Sequence, residues 1–244
     1  MICVILSAGM GKRLMPLTKN IPKPLLEINE KTLLERMILN CIDVGINDFI
    51  VVAGYNKEKV HDAAESLEKR YGISIEVIDN DRFAETNTSV STYLASSYIE
   101  KSSRDDFILI NGDNVVDPQI IKRITESENT ALVVDNHKKL NEESFKLIIK
   151  DNVITEIGKG IDIDSSTGEF IGISRVACAD IEIFNEILKG LIEEDEQNYY
   201  DYAFRQLSDE SEVDYVFTDG LEWTEIDDAN DWRIANELIE DFEK

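Results

Sequence analysis

Short apolar segments alternate with amphipathic ones along the first half of this chain, and that alternation limits the possible folds most strongly. The apolar segments have the continuous composition of strands buried on both faces, as in parallel sheets. The segments between them have helical spacing, and Thr32 is a candidate N-cap with Glu35 three residues later. This pattern predicts an α/β, three-layer fold with a mostly parallel sheet. We predict strands at 2–6, 48–55, 73–78 and 105–113, and helices at 32–45, 57–71, 88–100 and after Pro118.

The alternation of strand-like and helix-like segments ends near residue 130, where shorter strand-like segments follow one another directly. The segment FKLIIKDNVITEIGKG reads as a hairpin that turns at Asp151 and Asn152. Helices are predicted at 179–192 and 199–208, then a strand near Tyr215 and a final helix from about Asp228. We therefore predict one domain over 1–244, with a nucleotide-binding half (1–128) and a substrate and metal half (129–244).

Charge and composition exclude several classes of partner. The chain has 50 acidic and 25 basic residues, so its net charge of −25 argues against nucleic acid and anionic membranes. Residues 1–60 hold eight basic and six acidic residues, whereas residues 191–244 hold three and nineteen. An anion site is therefore expected near the first third and a cation site near the last.

The cysteines and the apolar runs predict the compartment. Cys3, Cys41 and Cys178 fit no zinc spacing, and the first two lie in apolar patterns that predict burial. No apolar run approaches the roughly 18 residues of a membrane span, and MICVIL does not resemble a signal peptide. We expect a cytoplasmic protein without a membrane partner. Whether it forms a homodimer is left open.

The loop after the first strand has the composition of a phosphate site. In an open parallel sheet, ligands bind beyond the carboxyl ends of the strands. Gly9 and Gly11 lie at that edge and let backbone N–H groups approach a ligand closely. The loop is not a P-loop, because only Met10 separates the glycines, and it is not the dinucleotide fingerprint, because Leu14 stands where a third glycine is needed.

Cations follow the glycine loop, and acids follow two distant strands. Lys12 and Arg13 come directly after Gly11, and Lys23 lies between two prolines in the segment PKPL. Asp113 ends the buried strand FILINGD, and the segment EWTEIDDAND covers residues 222–231. Together these motifs resemble the nucleoside-diphosphate-sugar pyrophosphorylase superfamily of nucleotidyltransferases, which implies a Rossmann-like, GT-A-like fold.

The resemblance implies roles for these charged residues. Arg13 would hold the β- and γ-phosphates, and Lys23 would bridge the α-phosphate and the incoming phosphate. Asp113, Glu225 and Asp227 would bind Mg²⁺, which prefers carboxylate and phosphate oxygens. Asp228 and Asp231 fit the N-terminus of the last helix better, where acids favour the dipole.

A further segment resembles the cytidylyltransferase branch, which acts on phosphocholine, inositol phosphate and related compounds. In FAETNTSVSTYLA, Asn87 and Ser91 match that branch, whereas Thr88 and Val90 depart from it. Helix capping at 86–88 is the alternative interpretation. The nucleotide-binding residues that the resemblance implies are Leu6, Ala8, Gly9, Gly11, Lys12, Gly54, Asn87 and Ser91.

A tyrosine-rich segment is the candidate site for the second substrate. NYYDYAF resembles a stretch of the phosphocholine enzymes, so that Tyr199, Tyr200 and Trp223 could enclose a quaternary ammonium, with Asp201 adding charge. Packing in the core or in a dimer explains the tyrosines equally well. The strand EFIGISRVA resembles one that carries a glycine, here Gly172, toward the substrate.

The resemblance implies a Mg²⁺-dependent nucleotidyltransferase that joins CTP and a phosphorylated small alcohol, such as phosphocholine or inositol phosphate, and releases pyrophosphate. The first alternative is a sugar-1-phosphate uridylyl- or thymidylyltransferase, although TNTSVSTYLA stands where a Gly-Leu-x-x-Ala stretch is expected. The second alternative is a non-catalytic binding module. Arg13, Lys23, Asp113 and Asp227 are all present, which argues against that module.

Overall fold

The computed structural model describes residues 1–243. Thirteen strands lie within these residues, and nine of them form one sheet. The strands are β1 (Ile2–Ser7), β2 (Glu27–Ile28), β3 (Lys31–Thr32), β4 (Asp48–Ala53), β5 (Ser74–Asp79), β6 (Phe107–Asn111), β7 (Asn114–Val116), β8 (Thr130–Asp135), β9 (Lys146–Lys150), β10 (Val153–Gly158), β11 (Gly168–Val176), β12 (Val213–Phe217) and β13 (Trp223–Glu225).

Seven α-helices connect these strands within residues 1–243. They are α1 (Leu33–Ile42), α2 (Lys57–Tyr71), α3 (Thr88–Ser102), α4 (Pro118–Thr125), α5 (Ile181–Glu194), α6 (Asp201–Leu207) and α7 (Ala229–Phe242). Thr32 caps α1, because its side chain accepts a hydrogen bond from the Glu35 N–H at 3.1 Å. The predicted helix at 199–208 is two residues too long at its start. None of these helices has the length and apolar character that crossing a bilayer requires.

The first half of the sheet is parallel, as predicted. Strand β1 pairs in parallel with β4 on one side and β6 on the other, and β5 pairs in parallel with β4. The carboxyl ends of these four strands therefore meet at one edge of the sheet. Ser7, Ala53, Asp79 and Asn111 end them there, and the loops that follow these residues form the floor of the candidate site.

The second half extends the same sheet with antiparallel strands. Strand β11 pairs antiparallel with β6, β8 and β9, and β12 is parallel to β8. The hairpin of β9 and β10 turns at Asp151 and Asn152, both at positive φ, as predicted. The predicted halves 1–128 and 129–244 thus contribute to one sheet, and their assignment to nucleotide and substrate stays a prediction.

The core lies on both faces of the sheet, which makes the three predicted layers. Alternate residues of β1 point to opposite faces, so that Cys3 and Ile5 pack with α1, α2, α4 and α7. Val4 packs on the other face with α3, α5 and α6. Cys3 and Cys41 are fully buried in the first of these clusters, as their apolar surroundings predicted.

Candidate active site

Strand β1 delivers the glycine loop to the carboxyl edge of the sheet. Gly11 has φ of 58°, a left-handed conformation that favours glycine. A Cβ there would also lie 2.9 Å from Thr18 Cγ2. The Thr18 hydroxyl donates to the Gly11 carbonyl at 2.7 Å and ties the loop back onto the chain. The loop therefore has one defined shape at the point where Arg13 leaves it.

Lys23 lies between two carboxylates that come from distant parts of the chain. Its Nζ is 2.7 Å from Asp113 Oδ2 and 3.1 Å from Asp227 Oδ1. Burial alone would lower the pKa of Lys23, but the attraction of Asp113 and Asp227 raises it above its usual range. Lys23 is therefore a fixed positive charge, with only 12% of its side chain exposed.

Arg13 approaches the same acids from the solvent side. Its Nη2 lies 2.7 Å from Asp227 Oδ2, and 65% of its side chain is exposed. Two cations from the first twenty-five residues thus meet Asp227, which follows β13 near the C-terminus. The arrangement combines a largely buried cation with an exposed one.

Three carboxylates lie close enough to share one metal ion. One oxygen from each of Asp113, Glu225 and Asp227 lies within 4.8 Å of the others. The pairing of β13 with β7 brings them together, because Glu225 lies opposite Asn114, next to Asp113. The Ile226 N–H also donates to the Asp113 carbonyl at 3.0 Å.

The donor set fits a hard divalent cation. Asp113 Oδ1 is buried and accepts no hydrogen bond from residues 1–243, so it is available as a ligand. The Glu225 pKa is raised well above its usual range, first by the charge of Asp113 and then by burial and by Asp227. Crowded acids of this kind are the oxygen ligands that Mg²⁺ binds, together with phosphates.

Gly112 allows Asp113 to follow β6 at this place. A Cβ on Gly112 would lie 2.4 Å from the Leu6 carbonyl oxygen, which accepts a hydrogen bond from the Gly112 N–H at 2.9 Å. Any larger residue would push β6 away from β1. The Gly-Asp pair in the sequence therefore has a steric cause in addition to its chemistry.

Seven of the eight predicted nucleotide residues line the cavity or a recess beside it, and Gly54 lines neither. Leu6, Ala8, Asn87 and Ser91 line a cavity of about 810 Å³ that also contains the charged residues described above. Gly54 packs behind the cavity, where a Cβ would lie 2.7 Å from the Ala8 carbonyl oxygen. Lys12 lines an adjoining recess with Gly9, Gly11 and Arg13. Gly9 and Gly11 line both spaces.

Asn87 and Ser91 have structural contacts in addition to their place in the cavity wall. Asn87 caps α3, because its Oδ1 accepts from the Thr88 N–H at 2.8 Å. Ser91 Oγ accepts from Asn80 Nδ2 at 3.0 Å. The capping interpretation is therefore confirmed for Asn87, and its role in nucleotide binding stays a prediction.

Gly172 affects the shape of the cavity on the side where the second substrate is predicted to bind. This residue has φ of 73°, and a Cβ on it would lie 2.2 Å from Asn111 Nδ2. Asn111 Oδ1 in turn accepts from the Tyr200 hydroxyl at 3.2 Å. Gly172 therefore leaves room for the Asn111 side chain beside Asp113.

The three aromatic residues suggested for an enclosure have different surroundings in the structure. Tyr200 is fully buried and packs against Phe170 and Phe204, so its ring belongs to the core. Trp223 Nε1 donates to Asp135 at 2.9 Å, and Lys138 Nζ lies 4.1 Å from the centre of the Trp223 ring.

Tyr199 belongs to a different aromatic group. Its ring centre lies 5.6 Å from that of Phe145 and 6.4 Å from that of Tyr202. Asp201 lies beside this group with 6% of its surface exposed, and burial raises its pKa to about 7. Tyr199, Tyr200, Asp201, Trp223 and Gly172 all line the cavity, and their part in substrate binding stays a prediction.

Sequence reasoning missed several residues of the cavity wall. Asn80 and Asn111 lie at the carboxyl ends of β5 and β6, so the strand-edge rule could have identified them. Lys138, Phe145 and Lys159 lie on loops and hairpins whose approach to the cavity depends on the tertiary structure. Their sequence neighbourhoods carry no comparable signal.

Comparison with known proteins identifies the family of this chain. Residues 2–156 match the family described as nucleotidyl transferase. The choline-phosphate cytidylyltransferase of Streptococcus pneumoniae is 37% identical over 114 residues, which are 47% of this chain and 45% of the relative. The CTP:phosphoglutamine cytidylyltransferase of Campylobacter jejuni is 28% identical over 97% of this chain and all of the relative.

A solved structure resembles the whole fold. The structure of CTP:phosphocholine cytidylyltransferase from Streptococcus pneumoniae superposes with a TM-score of 0.78 and 26% identity, covering 98% of this chain and 99% of that one. The chain spans about half the length, or less, of the first curated relatives that it matches. Because the family match covers more than half of its residues, this chain belongs to the nucleotidyl transferase family.

Proposed function

We propose that this protein transfers a cytidylyl group from CTP to the phosphate of a phosphorylated small alcohol. An oxygen of the alcohol's phosphate forms a bond to the α-phosphorus of CTP, and the bond from that phosphorus to the bridging oxygen breaks. The products are a CDP-alcohol and pyrophosphate. One P–O bond forms and one P–O bond breaks, so the reaction needs no oxidant or reductant.

The position of Lys23 carries this proposal. Its ammonium lies within 3.1 Å of both Asp113 and Asp227, and Arg13 reaches Asp227 as well. Two polyanionic substrates can react only where positive charge is placed before they meet. The cleft provides that charge beside carboxylates that suit a divalent cation. In the described part of the chain, no other group of three acidic, histidine or cysteine side chains has its ligand atoms within 4.8 Å of one another.

Each residue has a distinct task in this reaction. Lys23, which is buried and fixed, would bridge the α-phosphate and the attacking phosphate and hold them in line. Arg13, which is exposed and has a planar guanidinium, would pair with the β- and γ-phosphates and stabilise the leaving pyrophosphate. Asp113, Glu225 and Asp227 would hold Mg²⁺, which supplies positive charge for the phosphate oxygens when it is bound.

The reaction needs no general base from the protein. A phosphate monoester has its second pKa near 6, so the attacking oxygen is ionised at neutral pH. The two histidines do not line the cavity. His61 lies on α2 and contacts Asp79, and His137 packs near Gly220. This arrangement is consistent with catalysis by charge and position alone.

The choice of CTP and of a phosphorylated alcohol is supported by the relatives. The two curated relatives and the solved structure described above are named as cytidylyltransferases, and two of these names specify a phosphocholine or choline-phosphate substrate. The cavity extends from the glycine loop to Tyr199 and Asp201, which leaves room for a second substrate beside the nucleotide. The sequence predicts a cytoplasmic location and no nucleic-acid or membrane partner, and both predictions are compatible with such substrates.

A pyrophosphate-release panel tests the proposal. CTP, UTP, dTTP, ATP and GTP are each combined with phosphocholine, inositol phosphate, glycerol phosphate and glucose 1-phosphate, with and without Mg²⁺. We expect release to require CTP, one phosphorylated alcohol and the metal. Release with UTP or dTTP and glucose 1-phosphate would establish the sugar nucleotidyltransferase instead. No release from any pair would contradict both enzymes.

A further inference from the structure

Lys146 opens strand β9 and is buried completely, which sets it apart from the other lysines of residues 1–243. Its Nζ donates to three backbone carbonyls, at 3.2 Å from Asn141, 3.4 Å from Glu142 and 3.1 Å from Ser144. No carboxylate of the described residues forms a salt bridge with it. An ammonium has three donors, so this set satisfies all of them.

A buried cation without an anionic partner is costly, because an ammonium loses its hydration on burial. Strand positions near a surface loop ordinarily leave a lysine ammonium in water. Here the side chain lies underneath residues 141–145, which we call the 141–145 loop, and its charge faces the carbonyl dipoles of that loop. The loop therefore encloses a fixed internal cation.

The N–H groups of the same loop are also held. Asn141 Oδ1 accepts from the Glu143 N–H at 2.8 Å and from the Ser144 N–H at 3.2 Å. Ser144 Oγ accepts from the Asn141 N–H at 3.2 Å. Lys146 donates to carbonyl groups of the loop, and the Asn141 side chain accepts from its N–H groups. Both kinds of backbone polar group in the loop are therefore hydrogen-bonded.

The side chains of this loop form part of the cavity wall. Asn141, Glu143, Ser144 and Phe145 all line it. Phe145 packs against Tyr199, and Glu143 Oε2 lies 3.1 Å from Lys159 Nζ. Tyr199 is one of the predicted second-substrate residues, and Lys159 lies in the same cavity wall. Among the described residues, the loop forms no hydrogen bond or salt bridge with Arg13, Lys23 or Asp113, which belong to the triphosphate side.

We propose that Lys146 is a positioning residue that sets the shape of the wall recognising the phosphorylated alcohol. It acts through the 141–145 loop and does not touch either substrate. The inference rests on the proposed function for its effect on substrate binding. Its effect on the loop itself is independent of what the enzyme binds.

Two variants of strand β9 test this role. Lys146→Met keeps an unbranched side chain that is one atom shorter, and it removes the charge and the donors. Lys150→Met makes the same change at the exposed far end of the strand and is the matched control. If Lys146→Met does not fold, Lys146→Gln replaces it, because the amide retains two N–H donors.

Hydrogen exchange of the ligand-free protein gives the first readout. We expect the Glu143 and Ser144 amides to exchange about tenfold faster or more in Lys146→Met than in the wild type, since three charge-assisted hydrogen bonds are lost. The control should not change them. Unchanged exchange in Lys146→Met would overturn the positioning role.

Steady-state kinetics with the alcohol selected by the panel gives the second readout. We expect the KM for the phosphorylated alcohol to rise about tenfold while the KM for CTP stays within about twofold. An equal rise in both KM values would overturn the inference in favour of general destabilisation. A wild type that releases no pyrophosphate would contradict the proposed function instead, and the exchange measurement would still decide whether Lys146 holds the loop.

Discussion

Lys23 Nζ lies 2.7 Å from Asp113 Oδ2, although 90 residues separate the two along the chain. The contact joins the PKPL segment to the turn after β6, across the carboxyl edge of the sheet. Asp227, 204 residues from Lys23, completes the group at 3.1 Å. The charges that the proposed reaction needs are thus assembled from three separate segments.

Asp113 is expected to be essential for turnover. Asp113→Ala should lower kcat by about 10³ or more, because a metal ligand with a buried, free oxygen is removed. Pyrophosphate release at saturating CTP and Mg²⁺ measures this, and circular dichroism checks the fold. Asp105→Ala, which changes an exposed acid before β6, is the control. A near-normal rate for Asp113→Ala would remove Asp113 from the mechanism.

Lys23 is expected to contribute to the transition state. Lys23→Ala should lower kcat by about 10² because it deletes a fixed charge between the reacting phosphates. Lys19→Ala changes an exposed cation four residues before Lys23 and should keep normal kinetics. The measurement is kcat and KM for both substrates. A raised KM with unchanged kcat would show that Lys23 binds ground state and transition state equally.

Arg13 and Lys12 can be separated by matched substitutions. Arg13→Lys should lower kcat/KM for CTP by about tenfold or more, since a lysine cannot reproduce the planar, bidentate contact of a guanidinium with phosphate. Lys12→Ala should change the same quantity by about threefold or less, because Lys12 lies in the adjoining recess. If the Lys12 variant is the more impaired, the assignment of the leaving-group contact to Arg13 is wrong.

Gly172→Ala is expected to destabilise the protein and disturb the substrate side. The new methyl group would meet the Asn111 amide at 2.2 Å, and the backbone has φ of 73°. We expect a loss of about 2 kcal/mol in the free energy of unfolding by urea. Gly190→Ala, within α5 and with no atom within 4 Å of its Cβ, should instead stabilise by about 1 kcal/mol. Equal effects at both positions would contradict this account.

Asp201 should make stability depend on pH. Its carboxyl titrates near 4 in the unfolded chain and at about 7 in the folded protein, where burial disfavours the charge. Between these values the folded protein retains a proton that the unfolded chain has lost, so stability falls as the pH rises from about 4 to about 7. Above that range the full penalty remains.

The Asp201→Asn variant isolates this contribution. It should match the wild type at about pH 4 and exceed its stability at about pH 8 by roughly 4 kcal/mol, because the amide does not ionise. Urea unfolding across this pH range measures the difference, and Glu210→Gln, at an exposed acid after α6, is the control. A difference between Asp201→Asn and the wild type that is independent of pH would contradict the prediction.

Local patterns were sufficient for most of the fold. The strands of the parallel half, the helix capped by Thr32 and the turn at Asp151 and Asn152 all depend on a few neighbouring residues, and the structure has each of them. The motifs around Arg13, Lys23 and Asp113 pointed to the family because each of them consists of a few neighbouring residues. The end of α6 nearest Tyr200 was misplaced, since the core contacts of that tyrosine involve distant residues.

The sequence by itself determined the alternation of strands and helices, the residue types at the strand ends and the charged residues on which the proposed reaction depends. Only the tertiary structure decided that Tyr200 enters the core, that Lys138 covers the Trp223 ring and that Lys146 lies beneath the 141–145 loop. The physical reason is the separation along the chain of the residues that interact. Periodicity and capping act over a few residues, whereas these contacts exist because β11, β13 and the hairpin of β9 and β10 join segments far apart in the chain.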